Sequence, residues 1–422
     1  MGLGHESGPD DYDPMGEMVG EEQRVTAEDY RASFGEDLLR TLDLDTWLTG
    51  EDLSQVYHRL AGEVRQAVQQ EERLLDVVRQ EIFPRITRRP SAPPCAGVYA
   101  VDLSEIEKIH RGLLFNGGVE ACDGTRLVHD TLPLTILQIG ITLVSYQGNQ
   151  GTWSQRLFRR DLRMSGGDPV DEMLELLMRR NQRSGLNQTS PRDQLSELAQ
   201  RGIMAYAERA ILLRRSSAVW RMGHGSPAPY ELITGSGSMD LMVEGTKIIR
   251  ALVEEHQKFV FVASEPRDRV LLTIGQALRP LQFAIVGTLA EQIAEIVGRG
   301  HYRGELSVDH QWDGEELTPG EWIRRFQDRV ASQVVVGVYR ATKMAPPQVF
   351  YAHVEHAELA AAIALADSIL QEHRGFPLLI DLAHGVGASV FGQDTLRGPV
   401  AVAYADLGAP WRYETERTSR IG

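Results

Sequence analysis

Residues 132–160 constrain the fold more than any other stretch of the chain. Leu137, Ile139, Ile141 and Leu143 alternate with Gln138, Gly140 and Thr142, the period-two pattern of a strand with one buried face. Ile136 and Val144 extend the apolar content at its ends. Gln147-Gly148-Asn149-Gln150-Gly151 then turns the chain directly into a second strand over 152–160, as a glycine-rich hairpin connection does. Upstream, residues 97–102 and 118–123 read as further strands. The first half of the body is therefore expected to be an antiparallel meander.

The second half changes pattern. Helical sequence dominates 168–215, with a break near 185–191. Tyr230-Glu231-Leu232-Ile233-Thr234 reads as a strand running into the loop Gly235-Ser236-Gly237-Ser238. A helix over 240–256 leads to Phe259-Val260-Phe261-Val262-Ala263-Ser264, an apolar run suited to a buried strand. That alternation suggests a parallel β-α-β unit. A helix over 281–297, strands over 334–339 and 349–354, and an alanine-rich helix over 358–371 follow. Antiparallel strands first and β-α-β after is the order of an α/β, ribonuclease-H-like mixed sheet flanked by helices.

Ahead of this body the composition differs. Residues 1–23 are rich in Gly and acid and read as a disordered acidic segment. Residues 24–94 read as a helical extension ending in a Pro- and Arg-containing linker over 84–94, which leaves 95–422 as the main domain. Within the extension Leu53, Val56, Tyr57, Leu60, Val64, Ala67 and Val68 recur at helical spacing. Such a face can pack on its own body or on a partner. Residues 1–60 hold 15 Asp and Glu against four Arg, so 11 of the 15 net negative charges lie there. The body is close to neutral. This permits a nucleic-acid substrate and argues against a broad basic coat. Cys95 and Cys122 are the only cysteines, too few for a disulfide framework or a structural zinc site. With no apolar run long enough to span a bilayer and no signal-like N-terminus, the expectation is a cytoplasmic protein without membrane contact.

Chemistry centres on Asp123, in Gly117-Gly118-Val119-Glu120-Ala121-Cys122-Asp123-Gly124-Thr125-Arg126. A carboxylate ending a short strand, with glycine beside it, suits a metal ligand at a sheet rim. Asp-Gly is equally a turn dipeptide. Glu208 on a helix, Glu231 in its expected strand and Asp240 near a helix start could add carboxylates, so that Asp123, Glu208 and Glu231 hold Mn²⁺ or Mg²⁺. Their alternatives are a surface charge for Glu208 and an N-cap for Asp240. His384, after the apolar run 378–380, is either a catalytic imidazole or a core histidine. Arg156, Arg159 and Arg160, with Arg179 and Arg180, form a basic region that could grip DNA phosphates or be a solvated face. Gly235-Ser236-Gly237-Ser238 lacks the lysine of a nucleotide loop, and His353, Glu355 and His356 lack the spacing of a zinc helix.

Taken together, these residues resemble the NurA family of DNA-end-processing nucleases, over roughly residues 95–410. The likeness rests on Val119-Glu120-Ala121-Cys122-Asp123-Gly124-Thr125, the helical Glu208, the segment 231–238, and Gly375-Phe376-Pro377 with Ala383-His384. It implies a ribonuclease-H-like core, Mn²⁺-dependent exo- and endonuclease activity on DNA, and a homodimer docked on a HerA-type hexameric ATPase. Asp123, Glu208 and His384 would be active-site positions. Two departures stand out: Thr234-Gly235 where the family's second strand ends in Asp-Gly, and Phe376 where it has tyrosine. Two other readings compete: a catalytically weakened adaptor of a DNA translocase, and a small-molecule phosphoesterase with a closed pocket.

Overall fold

A computed structural model describes residues 26–47, 53–130, 134–160, 170, 174, 198–264, 266, 268–300 and 302–408. The expectation of disorder for 1–23 lies outside these residues. The chain divides into two compact units, Met1–Ile82 and Phe83–Gly422. Among the described residues, no helix is long and apolar enough to cross a membrane.

The first unit is helical in its described residues. Its helix α1 (Ala27–Phe34) starts at a capping box: Thr26 accepts from the Asp29 N–H while the Asp29 carboxylate accepts from the Thr26 N–H. Gly35, at φ +71°, ends it. After α2 (Leu38–Leu42) comes the long α3 (Leu53–Val77). Its Tyr57, Leu60, Val64 and Val68 are exposed.

The second unit is built on a nine-stranded sheet in the order β1-β7-β10-β11-β6-β5-β2-β3-β4. The strands are β1 (Gly97–Ala100), β2 (Val119–Asp130), β3 (Leu134–Ser145), β4 (Gly148–Arg160), β5 (Trp220–His224), β6 (Phe259–Ala263) and β7 (Gln282–Thr288). After a two-stranded ribbon of β8 (Gln311–Trp312) and β9 (Glu315–Glu316) come β10 (Val334–Arg340) and β11 (Gln348–His353). β2, β3 and β4 form the antiparallel meander, and β5 and β6 run parallel to β2. The run β4-β3-β2-β5-β6 is the 3-2-1-4-5 arrangement of a ribonuclease-H-like sheet. β11, β10, β7 and β1 extend it by antiparallel pairing.

Helices cover both faces. On one lie α5 (Ile203–Arg215), α6 (Met239–Ala251), α7 (Arg269–Ala277), α8 (Leu289–Arg299) and α9 (Pro319–Arg329), packed over Cys122, Leu137, Ile139, Ile141, Phe259 and Phe261. On the other lie α4 (Leu103–Ile109), α10 (Ala357–Ser368) and α11 (Leu378–Phe391), over Val119, Ala121, Trp220, Met222 and Val260. A final helix, α12 (Gln393–Asp406), places Leu396 and Val400 against Ile136.

Several sequence expectations change. β2 does not end at Asp123 but runs on to Asp130. The alternate positions of β3, read as a polar face, are buried as well, because α11 docks where they are small. Tyr230–Thr234 is a short helix opened by Pro229, not a strand. The strand parallel to β2 is instead Trp220–His224. The first residues of the expected helix 281–297 form β7; Thr288 then caps α8 through the Glu291 N–H. The run 378–380 opens α11 rather than forming a strand.

The first turn of α11 is capped from outside the helix, because Pro377 offers it no side-chain cap. The Leu379 N–H donates to Asp367 Oδ2 at 2.9 Å, from the end of α10. The other oxygen of Asp367 accepts the Tyr146 hydroxyl. Burial pushes the Asp367 carboxyl up to about 6, although the bonds from Tyr146 and Leu379 pull the other way. An unfolded aspartate titrates near about 3.9. Between there and pH 6 the folded chain keeps a proton that the unfolded chain has lost, so stability falls as pH rises through this window. At about 1.4 kcal/mol per pH unit the fall is on the order of 2–3 kcal/mol. Asp367→Asn should remove that decline, measured by chemical denaturation at pH 4 and pH 7. A variant with the parent's pH profile would assign the decline to other groups.

Candidate active site

Asp123 lies at a step in the sheet. β2 pairs with β5 only from Val119 to Cys122. β5 ends at His224, where Gly225 takes φ +76° and turns the chain away, so β2 continues past its neighbour. The next residue pair in this parallel register is Asp123 beside His224. Asp123 is 3 % exposed and holds two imidazoles: His224 Nδ1 lies 2.9 Å from Oδ1, and His384 Nδ1 lies 3.0 Å from Oδ2. Burial pushes the Asp123 carboxyl up, but the His224 charge and the hydrogen bonds from both histidines outweigh it and hold it at about 2. The charged form is the resting form.

His384 reaches this point from α11. Gly387, one turn on, brings the helix onto Thr125 and Thr142, and Phe391 covers Gly140. Thr142 is the cross-strand partner of Asp123. His384 remains 64 % exposed on its outer side.

Glu208 comes from α5, on the opposite face. Alternation along β2 points Gly124 toward that helix, and a side chain there would collide with Glu208 Oε1. The missing side chain is what admits the carboxylate beside Asp123. The Cys122 thiol donates to the Glu208 carbonyl at 3.5 Å. Arg209 holds Glu208 Oε2 at 2.7 Å and donates also to the carbonyls of Ala205, Ser226 and Pro227. Burial raises the Glu208 carboxyl, Arg209 opposes that, and Asp123 adds to the rise.

The remaining sequence candidates lie on other elements. Glu231 sits in the first turn of the Tyr230–Thr234 helix and is not among the partners of Asp123. Asp240 accepts from the Ser307 N–H and hydroxyl, while Ser238 is the N-cap of α6. Arg156 on β4 donates to Gln138 Oε1 at 2.6 Å. Arg159 and Arg160 also lie on β4, and Arg179 and Arg180 lie outside the described residues. Phe376 stands edge-on to His224, with ring centroids 5.8 Å apart.

Sequence reading missed His224. The strand parallel to β2 ends at His224-Gly225, not at Thr234-Gly235. A histidine therefore stands where the family resemblance led us to expect Asp-Gly. The signal was present: Trp220 and Met222 alternate with Arg221 and Gly223, and a glycine, Gly225, follows His224.

Among the described residues, no three His, Cys, Asp or Glu side chains converge as a ready metal cage. A hard divalent cation held by one or two carboxylates and completed by water and phosphate oxygens needs none. Each Asp123 oxygen keeps a second lone pair, and Glu208 Oε1 lies on the Gly124 side. Asp123 and Glu208 are oxygen donors of the type such a cation takes.

No protein-family model matches the sequence, and no curated protein matches it. Solved structures of NurA nucleases match over most of the chain at low sequence identity. The NurA nuclease from Sulfolobus solfataricus is 10% identical and aligns over 83% of this chain and 97% of its own, with a TM-score of 0.42. A NurA bound to dAMP and manganese is 10% identical, over 80% and 93%, at 0.34. Endonuclease V of Ciona intestinalis, in complex with a 24mer DNA, is 10% identical, over 68% and 95%, at 0.25.

With both imidazoles removed, burial alone should govern Asp123. In the double variant His224→Ala, His384→Ala its titration midpoint should climb from about 2 to above the ordinary value of about 3.9. Carbon-13 NMR of aspartate-labelled protein reads this directly. A midpoint that stays low would mean other groups stabilise the charge.

Proposed function

We propose that the chain is a metal-dependent DNA nuclease that processes DNA ends. The observation that carries this reading is the ionised, buried Asp123 at the step in the sheet, with Glu208 and His384 brought to it by helices on opposite faces. Asp123 and Glu208 would hold Mn²⁺ or Mg²⁺, which when bound supplies Lewis-acid stabilisation of the phosphate and an activated water. His384, with Nδ1 oriented by Asp123, would present Nε2 to the leaving oxygen and deliver a proton there, as an Asp-oriented imidazole does elsewhere. His224 shares the Asp123 charge and fixes its rotamer. Phe376 walls the site beside His224, without the hydroxyl a tyrosine would offer.

Arg156, exposed on β4 where the meander emerges from under α11, would be a phosphate contact for the DNA. Cross-strand register puts Leu127, Gln138 and Arg156 in one row, on the same face as Asp123 and four residues along from it. Along the strand that is about 13 Å, and Arg156 lies two strands across, about 10 Å more in the hydrogen-bonding direction. The proposal extends to a homodimer working on a hexameric ATP-driven translocase. The first unit, with the exposed apolar row of α3, is the proposed docking element for that ATPase.

Asp123→Ala should abolish Mn²⁺-dependent cleavage while the melting temperature shows a folded chain. His384→Ala should slow single-turnover cleavage by about 10²–10⁴, with little change in DNA affinity. Full activity in a folded Asp123→Ala protein would refute the site. Removing residues 1–82 should weaken binding to the hexameric ATPase more than it weakens basal cleavage; equal binding would move the interface to the second unit.

A second reading, the weakened adaptor, is favoured by two specific features: Arg209 neutralises Glu208, and His224 replaces an acid at the end of β5. A wild-type chain that binds the ATPase yet cleaves no DNA at any Mn²⁺ concentration would decide for it.

A further inference from the structure

Glycine inside a helix is unfavourable relative to alanine, so a glycine at a helix's docked face calls for a steric reason. α11 has one at Gly387. A Cβ built there would stand 2.5 Å from Thr125 Oγ1 and 3.1 Å from Thr142 Oγ1. Thr142 is the register partner of Asp123, and Thr125 lies two residues along β2 on the same face. Neither hydroxyl has a hydrogen-bond partner among the described residues. What the two threonines supply is a floor at a fixed height.

His384 precedes Gly387 by three residues and therefore shares its side of the helix. Phe391, four residues on, is seated over Gly140, and its carbonyl accepts from Gln138 Nε2 at 2.9 Å. The helix is held down on either side of Gly387, with His384 at one end of the seated stretch.

We infer that Gly387 is a positioning residue: its missing side chain sets the depth at which α11 docks on β2 and β3, and that depth keeps His384 within hydrogen-bond reach of Asp123. An added methyl needs a separation of about 3.5 Å. Threonine hydroxyls on both β2 and β3 lie beneath it, each side chain stiff at χ1, so we take the helix to rise by about 1 Å rather than the threonines to turn. The His384–Asp123 distance would then open from 3.0 Å to about 4 Å, beyond a hydrogen bond. The activity arm of this inference rests on the nuclease reading; the geometric arm does not.

The test uses the full chain as Gly387→Ala, Thr125→Ala and the double variant, each crystallised and assayed with Mn²⁺ on linear DNA. Gly387→Ala should lengthen the Nδ1–Oδ2 distance past about 3.5 Å and lower kcat by about 10²-fold, the scale of a 1 Å misplacement, with KM for DNA little moved. Thr125→Ala alone should keep the bond and the rate. In the double variant the nearer obstacle is gone, so bond and kcat should return. The inference is overturned if Gly387→Ala keeps the 3.0 Å bond and melts higher, as helix propensity alone dictates. Should Gly387→Ala fail to fold, the double variant decides: a retained bond supports the inference and a lost one ends it. If the wild-type chain cleaves no DNA, the nuclease reading fails, and the distances still judge Gly387.

Discussion

A carboxylate that is 3 % exposed yet ionised needs compensation for the hydration it has lost. Asp123 obtains it from two imidazoles, one on each oxygen, and the surrounding architecture follows from that requirement. β5 must stop where it does, so that His224 stands beside Asp123 rather than one pleat away. α11 must lie flat on the meander, so that His384 closes from above. Those two histidines come from elements about 160 residues apart in the chain, and the sheet is what makes them local.

The two faces of β2 divide the labour. Odd-numbered positions 121, 123 and 125 meet α11 and its neighbours. Even-numbered positions 122 and 124 meet α5. Glycine at 124 lets the second face contribute a carboxylate to the first. A larger residue there would leave a stable sheet with one acid fewer at its step. Asp367 and Tyr146 secure the opposite end of the same arrangement, giving α11 the cap that Pro377 cannot.

Much of this was legible in the sequence, and the gaps have physical causes. The meander declared itself through the alternation at 137–143 and the glycine-rich turn at 147–151. Asp123, Glu208 and His384 were singled out from residue type and local context. The chain around them was harder to read. Short apolar runs such as 230–234 and 378–380 carry no period long enough to separate helix from strand, and both proved helical. β5 was overlooked because Arg221, Gly223 and His224 are poor strand formers, placed there by pairing rather than propensity. The polar row of β3 looked solvated because the helix that covers it, α11, lies far downstream in the chain. Glu231, expected in a strand, stands in the first turn of the helix 230–234.

Arg209 draws together groups that strand alternation keeps apart. Its guanidinium binds the carboxylate of its neighbour Glu208, a carbonyl one turn back in α5, and the carbonyls of Ser226 and Pro227 just beyond the end of β5. It is 3 % exposed, so water does not compete for those bonds. The loop that carries the chain away from His224 is thereby riveted to the helix that carries Glu208. Neither arm can drift without pulling on the other. A lesion in that loop, though it touches no reacting group, would register as a fault on both sides of Asp123 at once.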